Sequence, residues 1–273
     1  LDSTPSCVML VRGMLAGLGE TLGLDPELVD DLKTAVSEAC NNVVLHAYPD
    51  RPGPLSVELD IDASEIDVTV RDRGTGIRNI AASEDRIGVG LAVISALADR
   101  AEFQSVADGG TAVRMAFTGR GANIALLDRA QGATGLARAE ALALSGDVVA
   151  TVCPAGLLPG VLGRLTRAAA AGAHFSLDRF SDLYLVADEV SAQASMAAAG
   201  AAVGFALTAG SGRLSVTIGP FPPGSGDRLR GDHAPGGGVF SFTRLVDELT
   251  LETRDDVEVW TLVVRDRRER ESD

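Results

Sequence analysis

Apolar residues recur at helical spacing near the start of the chain: Val8, Leu10, Val11, Leu15, Leu18 and Leu22 share one face after a Ser-Thr-Pro turn. This predicts an amphipathic helix over residues 7–22. A second helix is predicted from Asp25 and Pro26, a capping carboxylate followed by proline in the first turn, and it continues through Val44. Pro49 and the Arg51-Pro52-Gly53-Pro54 run stop it. The period then drops to two. Leu55, Val57, Leu59 and Ile61 alternate with Ser56, Glu58, Asp60 and Asp62, and after a short turn Ile66, Val68 and Val70 alternate again, which predicts a β-hairpin with one buried face. Helical spacing returns over residues 91–97, and residues 112–117 read as a closing strand. Together these elements make a layer of helices on a largely antiparallel sheet, an α+β arrangement.

Residues 119–146 are rich in Gly and Ala and include Gln131-Gly132-Ala133-Thr134-Gly135, the composition of a linker. Beyond it the same order of elements returns. The Leu-Lys-Thr-Ala-Val-Ser-Glu run at 32–38 lines up with Leu-Tyr-Leu-Val-Ala-Asp-Glu at 183–189. Val203, Phe205 and Leu207, followed by Leu214, Val216 and Ile218, repeat the hairpin about 150 residues further on. Gly236, Gly237 and Gly238 stand where Gly88, Val89 and Gly90 would, and residues 257–264 supply the closing strand. The predicted organisation is a first domain over 1–118, a linker over 119–146, a second copy of the fold over 147–268 and a charged tail over 269–273.

Composition supports this division and narrows the function. A chain of 273 residues can bury two cores, and with 46% hydrophobic but only 4% aromatic residues those cores must be built from Ala, Val, Leu and Ile. A formal net charge of −14 supplies no basic surface for nucleic-acid phosphates or an anionic membrane, so direct binding to either is not expected. Cys7, Cys40 and Cys153 are odd in number and lack any CxxC spacing, which argues against a disulfide framework or a zinc site and fits a reducing cytoplasm. The uncharged stretch over 190–212 is too rich in Ala, Gly, Ser and Thr to be read as a membrane span. No signal peptide is legible in a sequence that begins at Leu1.

Candidate chemistry lies in the first domain. Glu38, Asn42 and His46 are spaced i, i+4, i+8 on the second predicted helix and so share one face. Asn42 can offer a carbonyl oxygen to Mg²⁺, which takes hard oxygen ligands and commonly phosphate oxygens as well. Glu38 can orient or deprotonate a group that attacks a γ-phosphate. Taken alone, the triplet reads as a solvated polar stripe. Its context is a strand running into Asp72-Arg73-Gly74-Thr75-Gly76, where Asp72 can accept from an adenine amino group and the glycines let backbone pass close to a ligand. Gly88-Val89-Gly90-Leu91 then opens a helix whose free N–H groups and dipole suit phosphates. The run is neither a dinucleotide fingerprint nor a P-loop, since the third Gly and the Gly-Lys-Ser/Thr are missing.

In this order the motifs resemble those of the GHKL ATPase superfamily, which includes gyrase, histidine kinases and mismatch-repair ATPases. Glu38-Ala39-Cys40-Asn41-Asn42 with His46, Asp72-Arg73-Gly74-Thr75-Gly76, Arg86-Ile87-Gly88-Val89-Gly90-Leu91 and Gly109-Gly110-Thr111 carry the resemblance, over residues 1–118. Within it the sequence is most similar to bacterial anti-sigma-factor serine kinases, with a short segment, residues 77–87, where the ATP lid would form. The resemblance implies Glu38 as catalytic base, Asn42 as Mg²⁺ ligand, Asp72 as adenine reader, Thr111 as a second adenine-side contact and Arg86 as a γ-phosphate contact. Arg12 is placed like a first-helix arginine that the family needs for its protein substrate; a solvated helix charge is the other reading. His46 is expected to pack or hydrogen-bond at the helix end, and Cys40 to be a small core residue.

The second copy departs from the pattern. Glu189 keeps the carboxylate, but Gln193 stands for Asn42, Ala197 for His46, Pro220 for Asp72 and Pro222 for Gly74. A degenerate fold that does not bind ATP is expected, serving either as half of a pseudo-dimer within one chain or as a docking surface, with homodimerisation through the first copy still open. The function implied is an ATP- and Mg²⁺-dependent serine kinase that also holds a sigma factor and phosphorylates a small anti-anti-sigma protein. The alternative is a non-catalytic ATP-binding regulator that sequesters a partner.

Overall fold

In the computed structural model, which describes residues 1–61, 64–75, 87–106, 109–118, 144–198, 202–230, 242–254 and 256–266, the chain divides into two units, Leu1–Leu127 and Asp128–Asp273. Each places helices against an antiparallel sheet, the α+β class that the periodicity predicts.

In unit 1, helix α1 (Pro5–Leu22) starts with proline in its first turn and ends at Gly23, whose φ of 64° is the left-handed conformation that closes a helix without a Cβ penalty. Helix α2 (Pro26–Asn42) is capped by Asp25, whose side chain accepts from Glu27 N at 2.8 Å. Leu32, Ala35, Val36, Ala39 and Cys40 form its buried stripe. The α-helix does not run through Val44 as predicted: it ends at Asn42, and Val43–Ala47 continue as a π-helical turn. The wider turn buries Val43 and Ala47, leaves Leu45 and His46 exposed, and brings Ala47 O to within 2.9 Å of Thr75 N.

Strands β1 (Leu55–Ile61), β2 (Glu65–Asp72), β3 (Arg100–Ser105) and β4 (Thr111–Thr118) form a sheet in the order β1-β2-β4-β3, every pair antiparallel. Helix α3 (Ile87–Leu97) begins before the spacing at 91 reveals it, and Ile94 is its fully buried anchor. Ile66, Val68, Val70, Met115 and Phe117 are the sheet's contribution to the core. Strand β3 was not predicted, because Arg100, Glu102 and Gln104 dominate an edge strand with only Ala101 and Phe103 facing inward.

Unit 2 begins with β5 (Val148–Val152), a 3-10 turn, and helices α4 (Leu158–Gly172) and α5 (Leu177–Ala197). Strands β6 (Val203–Gly210) and β7 (Arg213–Phe221), a four-residue helix α6 (Asp227–Arg230), and β8 (Glu248–Arg254) and β9 (Val257–Arg265) follow. The sheet order is β5-β6-β7-β9-β8. Without β5, it repeats the unit 1 order, and two helices again precede the first central hairpin. The edge that β5 fills carries in unit 1 the Asp2–Pro54 bridge and a 2.8 Å bond from Leu55 N to Leu1 O.

The start of α5 is fixed by buried charge. Arg179, 3% exposed, donates through Nη1 to Asp182, through Nη2 to Asp247 at 2.7 Å and through Nε to Arg265 O at 2.9 Å. Asp266 accepts from Ser176 N and Oγ one turn away. Together these bonds join α5 to the far end of β9, and each guanidinium nitrogen has a partner, which offsets the burial of the charge.

Candidate functional site

The turn after β2 is held from three sides. Asp72, 5% exposed, accepts from Gly74 N at 2.8 Å through Oδ1 and from Thr111 N at 3.2 Å through Oδ2, tying the strand end to the start of β4. Each carboxylate oxygen keeps a second lone pair, so an amino group can still be accepted there. Tyr48 clamps the neighbouring residue: its hydroxyl donates to Pro54 O at 2.7 Å and accepts from Arg73 N at 2.8 Å. Burial of the Tyr48 ring pushes its hydroxyl above the ordinary value, so it stays a donor.

Glycine is required at two positions here. A methyl group on Gly74 would lie 2.1 Å from Ala47 O, and one on Gly110, whose φ is 89°, would lie 2.1 Å from Asp72 O. The π-helical turn, the turn after β2 and the turn before β4 therefore pack backbone against backbone around Asp72. Tyr48 and Ala47 were missed by sequence reasoning. Nothing in a lone Tyr after a helix signals a clamp, and the contact of Ala47 is through its carbonyl.

Glu38 and Asn42, both half-buried on α2, converge on the first turn of α3. A methyl group on Gly90 would meet Glu38 Oε2 at 3.1 Å and Asn42 Oδ1 at 3.5 Å. The absence of a side chain at Gly90 thus leaves a cradle between a carboxylate, an amide and a helix N-terminus, a donor set that fits a phosphate chain with a hard cation. Leu91 follows in the same turn, and Gly88 lies two residues before Gly90 in the helix backbone. Among the described residues there is no cluster of three or more His, Cys, Asp or Glu able to hold a metal ion.

Gly76 and Arg86 lie outside the described residues, as do the lid segment up to Arg86, Gly236–238, most of the linker and the charged tail. His46 is exposed on the π-helical turn, which corrects the expected packing role. Arg12 is exposed on α1, and its Nη1 donates to Ser37 Oγ at 3.0 Å and Lys33 O at 3.2 Å, one residue from Glu38. Cys40 is a core residue as expected, and burial, with Cys7 adding to it, pushes its thiol up to about 12.

In unit 2 the counterparts are turned on each other. Gln193 Nε2 donates to Glu189 Oε1 at 2.9 Å. Pro220 lies within β7, beside an irregularity of register between Ile218 and Phe221, and the turn follows it at 222–226.

Among the described residues no helix is long and apolar enough to cross a membrane. Residues 1–117 match the family described as the histidine kinase-like ATPase domain. The anti-sigma F factor of Thermoanaerobacter sp. (strain X514) is 36% identical over 104 residues, which take in 34% of this chain and 73% of that protein. The anti-sigma F factor of Clostridium perfringens (strain 13 / Type A) is 36% identical over 105 residues, 34% of this chain and 75% of that protein. Serine-protein kinase RsbW of Bacillus licheniformis is 38% identical over 71 residues, 26% of this chain and 44% of that protein.

Proposed function

We propose a function from one premise: the chain belongs to the family of histidine kinase-like ATPase domains, through residues 1–117. Unit 1 binds ATP with Mg²⁺ and transfers its terminal phosphoryl group to a serine of a small anti-anti-sigma protein, and it holds a sigma factor when that partner is absent. The observation that carries this reading is the convergence of Glu38 and Asn42 on Gly90, at a helix N-terminus that shares a unit with the tethered carboxylate of Asp72.

The bound Mg²⁺-ATP supplies the phosphoryl group and a cation that offsets its charge. The residues supply position and proton handling. Asp72 accepts the adenine amino group with the lone pairs that Gly74 and Thr111 leave free, and Thr111 lines the same side. The first turn of α3, Gly88 to Leu91, offers N–H groups to the phosphates, and Gly74 and Gly76 allow close backbone approach. Asn42 would hold the metal through its carbonyl oxygen. Glu38 takes the proton from the serine hydroxyl, which activates it as a nucleophile, and Arg86, outside the described residues, is the γ-phosphate contact that the motif resemblance implies. Arg12, tied to the Lys33–Ser37 turn that carries Glu38, contacts the protein substrate with its remaining donors.

Incubating the chain with γ-labelled ATP and candidate anti-anti-sigma proteins tests the reading. Label is expected on serine of the acceptor, and Glu38→Gln is expected to slow transfer by about 10²–10⁴ while nucleotide is still bound. Nucleotide-dependent complexes without label in the wild-type protein would sink the kinase and leave a non-catalytic regulator.

A further inference from the structure

A carboxylate is absent from the end of β7, where sequence alignment sets Pro220 and the shifted register sets Phe221 in place of Asp72, but one is present on the neighbouring strand. The registers fix its place. Val70 pairs with Val113 in unit 1 and Ile218 pairs with Trp260 in unit 2, so Glu258, two residues before Trp260, stands where Thr111 stands. Glu258 is 4% exposed. Its Oε2 accepts from Gly224 N at 2.7 Å, and its Oε1 accepts from Gly226 N at 2.6 Å and from Trp260 Nε1 at 2.6 Å. The Trp260 indole is fully buried and stacks on Phe221, with ring centroids 4.0 Å apart.

These bonds invert the arrangement in unit 1. There the carboxylate of Asp72 takes backbone N–H groups from a glycine turn and the next strand and retains lone pairs toward an external amino group. Here three donors converge on Glu258, and one of them is the N–H of a flat, stacked heteroaromatic ring. A methyl group on Gly226 would lie 2.8 Å from Glu258 Oε1, so the turn is closed directly on the carboxylate. Charge-assisted bonds of this length, in a buried setting, are the strong ones.

We infer that Glu258 and Trp260 are built-in occupants of unit 2's counterpart of the nucleotide site: a carboxylate at the position of Thr111 is satisfied by the glycine turn and by an indole of the same chain. The 222–226 turn is held shut by Glu258, and unit 2 stays in one conformation whether or not nucleotide is present. This rests on the reading of unit 1 as the nucleotide site, and it makes unit 1 the single nucleotide-sensing half of the chain.

Trp260 is the only tryptophan in the chain, so its emission reports on this place alone. Saturating Mg²⁺-ATP is expected to leave the emission of the full-length protein unchanged, while ATP binding is registered independently by equilibrium dialysis. In Glu258→Thr, amide exchange at Gly224 and Gly226 is expected to accelerate about tenfold or more and Trp260 emission to shift red, with ATP affinity within about twofold of wild type. Glu258→Gln keeps one acceptor oxygen and the side-chain size, so it gives a smaller acceleration and keeps the inference testable if the threonine variant fails to fold. Unchanged exchange in both variants would overturn it, as would an ATP-induced change in Trp260 emission. Failure of ATP to bind at all, with the exchange result intact, would instead count against the reading of unit 1.

Discussion

The two units arrange the same strand order around opposite uses of a carboxylate. In unit 1, Asp72 is tethered by two backbone N–H groups and Glu38 and Asn42 meet over a bare glycine. In unit 2, Glu258 is met by three donors and Glu189 is bonded to Gln193. The lesson is that a fold keeps its site only where polar groups are left with capacity to spare. On the proposed reading, filling that capacity from within stabilises unit 2 at the expense of a site. The same trade appears in the arginines: Arg179 is buried and uses all three nitrogens, whereas Arg12 is exposed and uses one.

Paired substitutions sharpen the comparison. Glu38→Gln should lower the rate of phosphoryl transfer by about 10²–10⁴, the usual worth of a positioned base, while Glu189→Gln leaves it unchanged in a phosphotransfer assay. Equal losses from both would erase the distinction between the units. Arg179→Ala takes the guanidinium away from the Asp247 carboxylate, which keeps the Arg265 N–H at 2.7 Å, and should destabilise unit 2 by about 3–5 kcal/mol in denaturant unfolding followed by Trp260. Arg12→Ala should cost unit 1 about 0–1 kcal/mol, since an exposed guanidinium can be replaced by water. Thr166, 2% exposed, has a hydroxyl without a hydrogen-bond partner in the apolar core under α4 and α5. Thr166→Val should therefore be neutral or stabilising by about 1 kcal/mol, and a loss of stability would show that the hydroxyl is satisfied.

How much of this was legible depended on whether the signal was local. Alternation over 55–61 and 66–70, the Asp25 cap and the i, i+4 pair of Glu38 and Asn42 are all written within a few residues, and the elements form where they predict. Edge strands β3 and β8 carry too many polar residues to alternate visibly, and α4 opens on Leu-Pro-Gly, which reads as a turn. The π-helical turn has no period of its own in five residues. Glu258 was missed although a signal existed: it lies in phase with Trp260, Leu262 and Val264 on the buried face of β9, and an acid in that phase has to find donors. Those donors, Gly224 and Gly226, are more than thirty positions away in sequence and come together only through the register of β7 with β9.

The central claim is that this chain has one working nucleotide site in two similar units, and the count of bound nucleotides tests it most directly. Native mass spectrometry of the full chain with Mg²⁺-ATP should show one nucleotide per polypeptide, and none for Asn42→Ala. Two nucleotides on the wild-type chain, or one persisting in the Asn42→Ala variant, would contradict the account.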